Sequence, residues 1–167
     1  ALPHLEAYGN NSNLKAEEIY QLGYCQYKNG KYANASKNFE QLSAQNNKMG
    51  QNAMFLLGDC YLRAKNKVQA RNAFGTASRM NFDKEIQEDA LFNYGKLSAE
   101  LDFDREAVNA LSKIPTKSKN YNEAQSILST VFLNTRDYDK ALEVLEGIPD
   151  KSSKMNETLQ KVAYFKG

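Results

Sequence analysis

Three landmarks recur together along the chain. Gly58, Ala70 and Phe74 are matched 35 residues upstream by Gly23, Ala35 and Phe39. The same step taken 37 residues downstream reaches Gly95, Ala107 and Leu111, and a further 34 reaches Ser129, Ala141 and Leu145. A chance periodicity would rarely move three positions in step, so the chain has to fold as copies of one unit. That unit is clearest in residues 51–77, QNAMFLLGDCYLRAKNKVQARNAFGTA. Met54, Leu57 and Tyr61 fall on one helical stripe and Ala70, Phe74 and Ala77 on another, each at spacings of three or four. The polar Lys65-Asn66-Lys67 lies between them, which predicts a helical hairpin. Gly58 and Ala70 act through their smallness, because two helices approach closely only where a side chain is nearly absent from the contact.

This period, with its pattern of Leu-Gly, Tyr, Ala and Phe, resembles the tetratricopeptide repeat, whose period is about 34 residues. The resemblance covers nearly the whole chain and implies an all-α fold, an α-solenoid of antiparallel helical hairpins in a superhelix. About four full repeats are expected (16–47, 51–82, 88–117 and 122–151), with 1–12 ending a preceding repeat and 154–167 starting another. Ala1 would then already stand in the second helix of an earlier repeat. The chain is accordingly read as part of a longer array, so that targeting information or a catalytic domain would lie outside it. Asn29-Gly30 is the expected turn of the first repeat. Gln26 stands where the family usually has an aromatic and is expected to loosen packing. Pro115 and Pro149 should end their second helices early, because the residue before proline is pushed out of helical geometry.

Charge and composition narrow the function classes. The 22 basic residues are scattered among 20 acidic ones, a formal charge of +2. That argues against nucleic acid, which needs a concentrated basic surface. No window approaches the roughly 18 uninterrupted apolar residues of a membrane span, so direct membrane insertion is not expected. Cys25 and Cys60 occupy one place in successive repeats, about a helix diameter apart, roughly 8–10 Å. A disulfide needs Cα atoms within about 7 Å, so two separate buried thiols are expected. His4 is the single histidine and reads as a solvated or packing residue. Asp102-Phe103-Asp104 lacks the glycine and distant glutamate of a calcium loop and reads as a solvated hairpin turn. Glu17-Glu18 and Glu88-Asp89 are placed at first-helix starts, where negative charge suits the helix dipole. The sequence contains no Gly-rich phosphate loop, Ser-His-Asp set or CxxC. No enzyme activity, cofactor or metal is expected.

The positions that carry a partner lie on the first helices. Tyr20, Tyr24 and Tyr27 share one helical face by their spacing, and in the family the first helix of each repeat lines a concave groove. The matching residues are Phe55, Asp59, Leu62 and Arg63 in repeat two, Phe92, Lys96, Ala99 and Glu100 in repeat three, and Ser126, Thr130, Leu133 and Asn134 in repeat four. The face grades from tyrosine-rich to small and polar, so the aromatic half is expected to anchor a ligand. The expected function is a non-catalytic scaffold binding a peptide or protein segment along this face. Its candidate residues are Tyr20, Tyr24, Tyr27, Lys28, Phe55, Asp59, Arg63, Phe92 and Lys96, the basic ones facing acidic groups or backbone carbonyls. The competing structural reading half-buries the tyrosines against the neighbouring repeat with their hydroxyls in water. Family members that grip a chaperone's C-terminal carboxylate use Lys, Asn and Arg at these positions. Only Lys96 is of that kind here and Asp59 would repel a carboxylate, so that ligand is not expected. The alternative function is a structural spacer or self-assembling segment of a larger multi-repeat protein. Incompletely covered apolar residues at Leu159, Val162 and Ala163 would then associate end to end. Richness in Asn, Lys and Tyr and the array character resemble bacterial tetratricopeptide proteins, several of which work in the cell envelope. The envelope, periplasmic or outer-membrane associated, is therefore favoured over the cytoplasm.

Overall fold

The computed structural model describes residues 15–147 and 153–167. The expectations for 1–12, His4 included, and for Ile148-Pro149 lie outside the described residues. Nine helices and no strand occur among the described residues: α1 (Ala16–Lys28), α2 (Tyr32–Glu40), α3 (Lys48–Arg63), α4 (Lys67–Arg79), α5 (Lys84–Glu100), α6 (Asp104–Leu111), α7 (Tyr121–Asn134), α8 (Tyr138–Glu146) and α9 (Ser153–Lys166). Successive helices pair as hairpins, α1 with α2 and α3 with α4, then α5 with α6 and α7 with α8; α9 packs on α8. The fold is the expected all-α tetratricopeptide architecture. By internal packing the chain divides into two compact units, Ala1–Tyr94 and Gly95–Gly167.

In the first unit the landmarks work by close approach. A Cβ on Gly58 would lie 2.7 Å from the ring of Phe74, and one on Gly23 would lie 3.0 Å from Phe39. Phe39 and Phe74 are buried against those glycines, and Ala35 and Ala70 are fully buried as well. Gly50 is more tightly constrained still: its Cβ would come 1.8 Å from the backbone oxygen of Gln45. Asn47 caps α3 there by accepting a hydrogen bond from the Gly50 amide at 2.9 Å. Gln51, wholly buried, staples the loop after α4. Its Nε2 donates to the Met80 carbonyl at 2.7 Å and its Oε1 accepts from the Asp83 amide at 2.7 Å.

In the second unit a Cβ on Gly95 would meet Leu111 at 2.7 Å. Ser129 takes the glycine's place in the last hairpin, its Oγ donating back to the Gln125 carbonyl at 2.9 Å, while Ala141 and Leu145 are fully buried. Val162 is buried too, so the apolar cover expected to be missing on α9 is partly supplied; Ala163 is exposed and Leu159 half-buried.

All four hairpin turns use one geometry. Gly30, Lys65, Asp102 and Arg136 stand at equivalent places with φ of 75°, 59°, 61° and 62°. The next amide in each case bonds to the carbonyl five residues back, as from Lys31 to Gln26 and from Phe103 to Ser98, which satisfies carbonyls left open at the helix end. Asp102-Phe103-Asp104 is thus a hairpin turn.

Several expectations are corrected. Gln26 does not loosen its repeat: it is buried, and its Oε1 accepts from Asn38 Nδ2 at 2.7 Å. Cys60 is buried but Cys25 only half so, and both thiols are free. Helix α5 begins at Lys84, so Glu88-Asp89 fall in its second turn. There the dipole effect has faded; Asp83 caps the helix by accepting from the amides of Glu85 and Ile86. Helix α6 does stop at Leu111, ahead of Pro115, after eight residues. Proline is not required for such shortness, since α2 spans nine residues without one.

Candidate partner-binding face

In the first unit the first-helix face is made of side chains already committed to one another. Tyr20 donates its hydroxyl to Asn52 Oδ1 of α3 at 3.0 Å. Its ring stacks on Tyr24, centroids 6.1 Å apart and 15° between planes. Tyr24 remains 39% exposed, with the Lys28 ammonium 5.5 Å from its ring centroid. Tyr27 donates to Asp59 Oδ2 at 2.7 Å, and Arg63 Nε reaches the same oxygen at 2.7 Å. The Arg63 guanidinium lies 4.6 Å from the ring of Tyr32, which meets Tyr27 edge-on at 5.6 Å. Burial, reinforced by the bond to Asp59, pushes the Tyr27 phenol up to about 12. Burial and the bond to Glu40 do the same for Tyr61, also to about 12.

The nine sequence candidates therefore divide. Tyr27, Asp59 and Arg63 form one cluster, and Tyr20, Tyr24 and Lys28 form another. Phe55 turns into its own hairpin, edge-on to Phe74 at 5.4 Å. Phe92 is buried, with 6% of its surface exposed, which leaves little of it for a partner. Lys96 belongs to the second unit. The tyrosines do pack toward the next repeat, but the hydroxyls of Tyr20 and Tyr27 bond to its first helix instead of to water.

In the second unit the corresponding face carries an open pocket of about 230 Å³. The end of α5 contributes Lys96, Ala99 and Glu100; α7 contributes Glu123, Ile127, Thr130, Val131 and Asn134. Lys96 Nζ and Glu123 Oε1 form an ion pair at 2.7 Å that ties the two helices together. Sequence reading missed Tyr32, Asn52, Glu123, Ile127 and Val131. Ile127 carried no clear signal, because the equivalent positions are the polar Gln21 and Asn93 in repeats one and three but the apolar Leu56 in repeat two.

Helical hairpins repeated in one register, with a small residue at each crossing, define a helical-repeat solenoid. Residues 20–79 match the tetratricopeptide repeat family, and that segment belongs to it; the chain as a whole has the tetratricopeptide fold. Among solved structures, MamA is 18% identical over 97% of this chain and 86% of its own, with a TM-score of 0.65. YrrB, described as a tetratricopeptide protein with an unusual peptide-binding site, is 18% identical over 90% of this chain and 73% of its own, TM-score 0.62. The Cut9–Hcn1 hetero-tetramer of the APC/C is 16% identical over 89% of this chain and 30% of its own, TM-score 0.60. At these identities the likeness is one of fold. No curated protein matches the sequence.

Proposed function

We propose that the chain is a non-catalytic scaffold that binds a peptide or protein segment along the face formed by the first helices of its repeats. The tetratricopeptide fold is one of protein–protein interaction, and YrrB is described as having a peptide-binding site. The observation that carries the reading is Tyr24. Its exposed ring is held between the stacked ring of Tyr20 and the Lys28 ammonium, so a partner would gain a large rigid contact at low entropic cost. Photo-crosslinking tests it. A benzoylphenylalanine in place of Tyr24 should yield a discrete protein adduct in the source cell, while the same probe at Asn72, exposed on second helix α4, should not. Equal labelling at both sites, or none at Tyr24, would remove the face from consideration.

A second reading, self-association through α9, is supported by the exposure of Tyr164 and Phe165, an aromatic pair of the kind enriched at interfaces. Sedimentation over a wide concentration range distinguishes it, since a mass fixed at the monomer counts against it. We also place the protein in a bacterial cell envelope, on composition and array character alone. Finding the native protein only in a cytosolic fraction would end that reading.

A further inference from the structure

We propose that the two hairpin turns of the first unit together hold an acidic stretch of a partner polypeptide. The inference rests on the scaffold reading above and names the chemistry its partner must carry. The near balance of charge over the whole chain conceals a segregation. Residues 19–82 contain nine basic residues and two acidic ones, Glu40 and Asp59, whereas residues 83–167 contain 12 basic and 15 acidic. Lys48 pairs with Asp83 just beyond that span at 3.0 Å. Two carboxylates cannot offset the other eight cations, whatever contacts the individual lysines make. Both are engaged besides: Glu40 accepts the Tyr61 hydroxyl, and Asp59 takes Tyr27 and Arg63 on one oxygen.

The fold gathers the excess at one end of the hairpins. Lys28 and Lys31 flank the first turn, and Arg63, Lys65 and Lys67 the second; all five are exposed. Tyr27 crosses from α1 to Asp59 of α3, which sets the two turns side by side. Arg63 is held ready: its Nε is fixed on Asp59 at 2.7 Å and its guanidinium lies 4.6 Å from the Tyr32 ring, yet the side chain stays 47% exposed. A guanidinium pinned in this way loses little freedom on meeting a carboxylate. The sign is particular to these two repeats. At the equivalent positions the third turn carries Glu100, Asp102 and Asp104, and the fourth offsets Arg136 with Asp137. An acidic polypeptide is thus complementary to the first unit's turns. It fits better than a nucleic acid, because five cations on two turns make a small patch and not a stripe that tracks a phosphate backbone. Val68, 56% exposed directly after Lys67, adds aliphatic surface that a peptide can cover.

Amide NMR of the whole chain at low salt tests this with a blocked octapeptide of Glu and Leu, and with a twin in which every Glu is Lys. Amides of residues 28–31 and 63–67 should shift in a saturable way with the Glu peptide and stay in place with the Lys peptide. Lys28→Gln combined with Lys65→Gln should weaken binding about fivefold. Lys113→Gln combined with Lys117→Gln, the same loss of charge on the exposed link after α6, should leave it within about twofold. Because the primary readout uses the unmodified protein, a variant that fails to fold leaves the result standing. Turn amides unmoved by the Glu peptide, or moved equally by both peptides, overturn the proposal. Equal weakening by the two substituted pairs does so too, since overall charge alone would then be felt. Tighter binding at the same turns by single-stranded oligothymidylate or by phosphatidylserine vesicles would replace the polypeptide with another class of partner. The scaffold reading is judged apart, by the crosslink at Tyr24: an adduct there without any response to the Glu peptide leaves a scaffold whose partner is not acidic.

Discussion

The two units present the same helical face in opposite conditions. In the first, Tyr27, Asp59 and Arg63 satisfy one another across α1 and α3, and Tyr20 reaches Asn52. In the second, shorter side chains at equivalent positions, Ala99 for Tyr27 and Thr130 for Asp59, leave a space floored by Ile127 and Val131. An aromatic-rich face is therefore not automatically the open one. Tyrosines and a paired arginine can close a repeat interface as effectively as they can receive a partner, and the smaller residues are what leave room.

The largest effect we expect probes the closed unit. Gly50→Ala sets a Cβ against the Gln45 backbone oxygen, an obstacle that no side-chain rotation relieves, and should destabilise by about 3 kcal/mol or more. Chemical denaturation followed by circular dichroism measures it; a wild-type midpoint would show that the α2–α3 link relaxes freely. Next come the crossings. Gly58→Ala and Gly95→Ala should each cost about 2 kcal/mol by overpacking, against Phe74 and Leu111 respectively, while Ser129→Ala, where a Cβ is already accommodated, should stay within about 1 kcal/mol. Equal costs at all three would mean that helix approach is not what distinguishes the last hairpin.

Tyr27→Phe, expected to cost about 1 kcal/mol, tests the closure itself. In the folded chain this phenol titrates near 12 instead of 10.0. The neutral form is thus favoured by folding, and its stabilisation is whole below pH 10 and lost as pH rises toward 12. Tyrosinate absorbance should show a late-titrating fraction in the wild type that shrinks in Tyr27→Phe. An unchanged curve would mean that Asp59 does not hold this hydroxyl. The smallest effects lie at the turns. Lys65→Gly and Arg136→Gly relieve a left-handed backbone and should each stabilise by about 0.5–1 kcal/mol, and Gly30→Ala should cost about 1 kcal/mol, all read as shifts in thermal midpoint.

Much of this was legible in the residues. The joint recurrence of Gly58, Ala70 and Phe74 with their counterparts carries the fold, because close helix crossings tolerate few residue types. The turn register was visible only at Gly30. Lys65, Asp102 and Arg136 adopt the same φ without advertising it, since hairpin closure outweighs their local preference. The candidate face was legible as a set of positions but not as a state. Whether Tyr27 faces a ligand or Asp59 depends on a residue 32 places away, and helical periodicity carries no information about partners at that range. Phe92 shows the same limit, for it shares a register with Tyr20 yet is buried.

The common turn geometry bears on how such a chain can be lengthened. Seven residues separate Gly23 from Gly30, Gly58 from Lys65, Gly95 from Asp102 and Ser129 from Arg136, and each second-helix alanine follows five residues later. The unequal steps of 35, 37 and 34 therefore fall wholly between hairpins. An epitope tag inserted after Thr116, exposed in such a link, alters only a spacer, whereas the α2–α3 link is held by the close approach of Gly50 to Gln45. One residue added at Asn29-Gly30 instead rotates the incoming helix by about 100° and turns Ala35 and Phe39 away from Gly23. The hairpin is the indivisible cassette, and the links are the splice points.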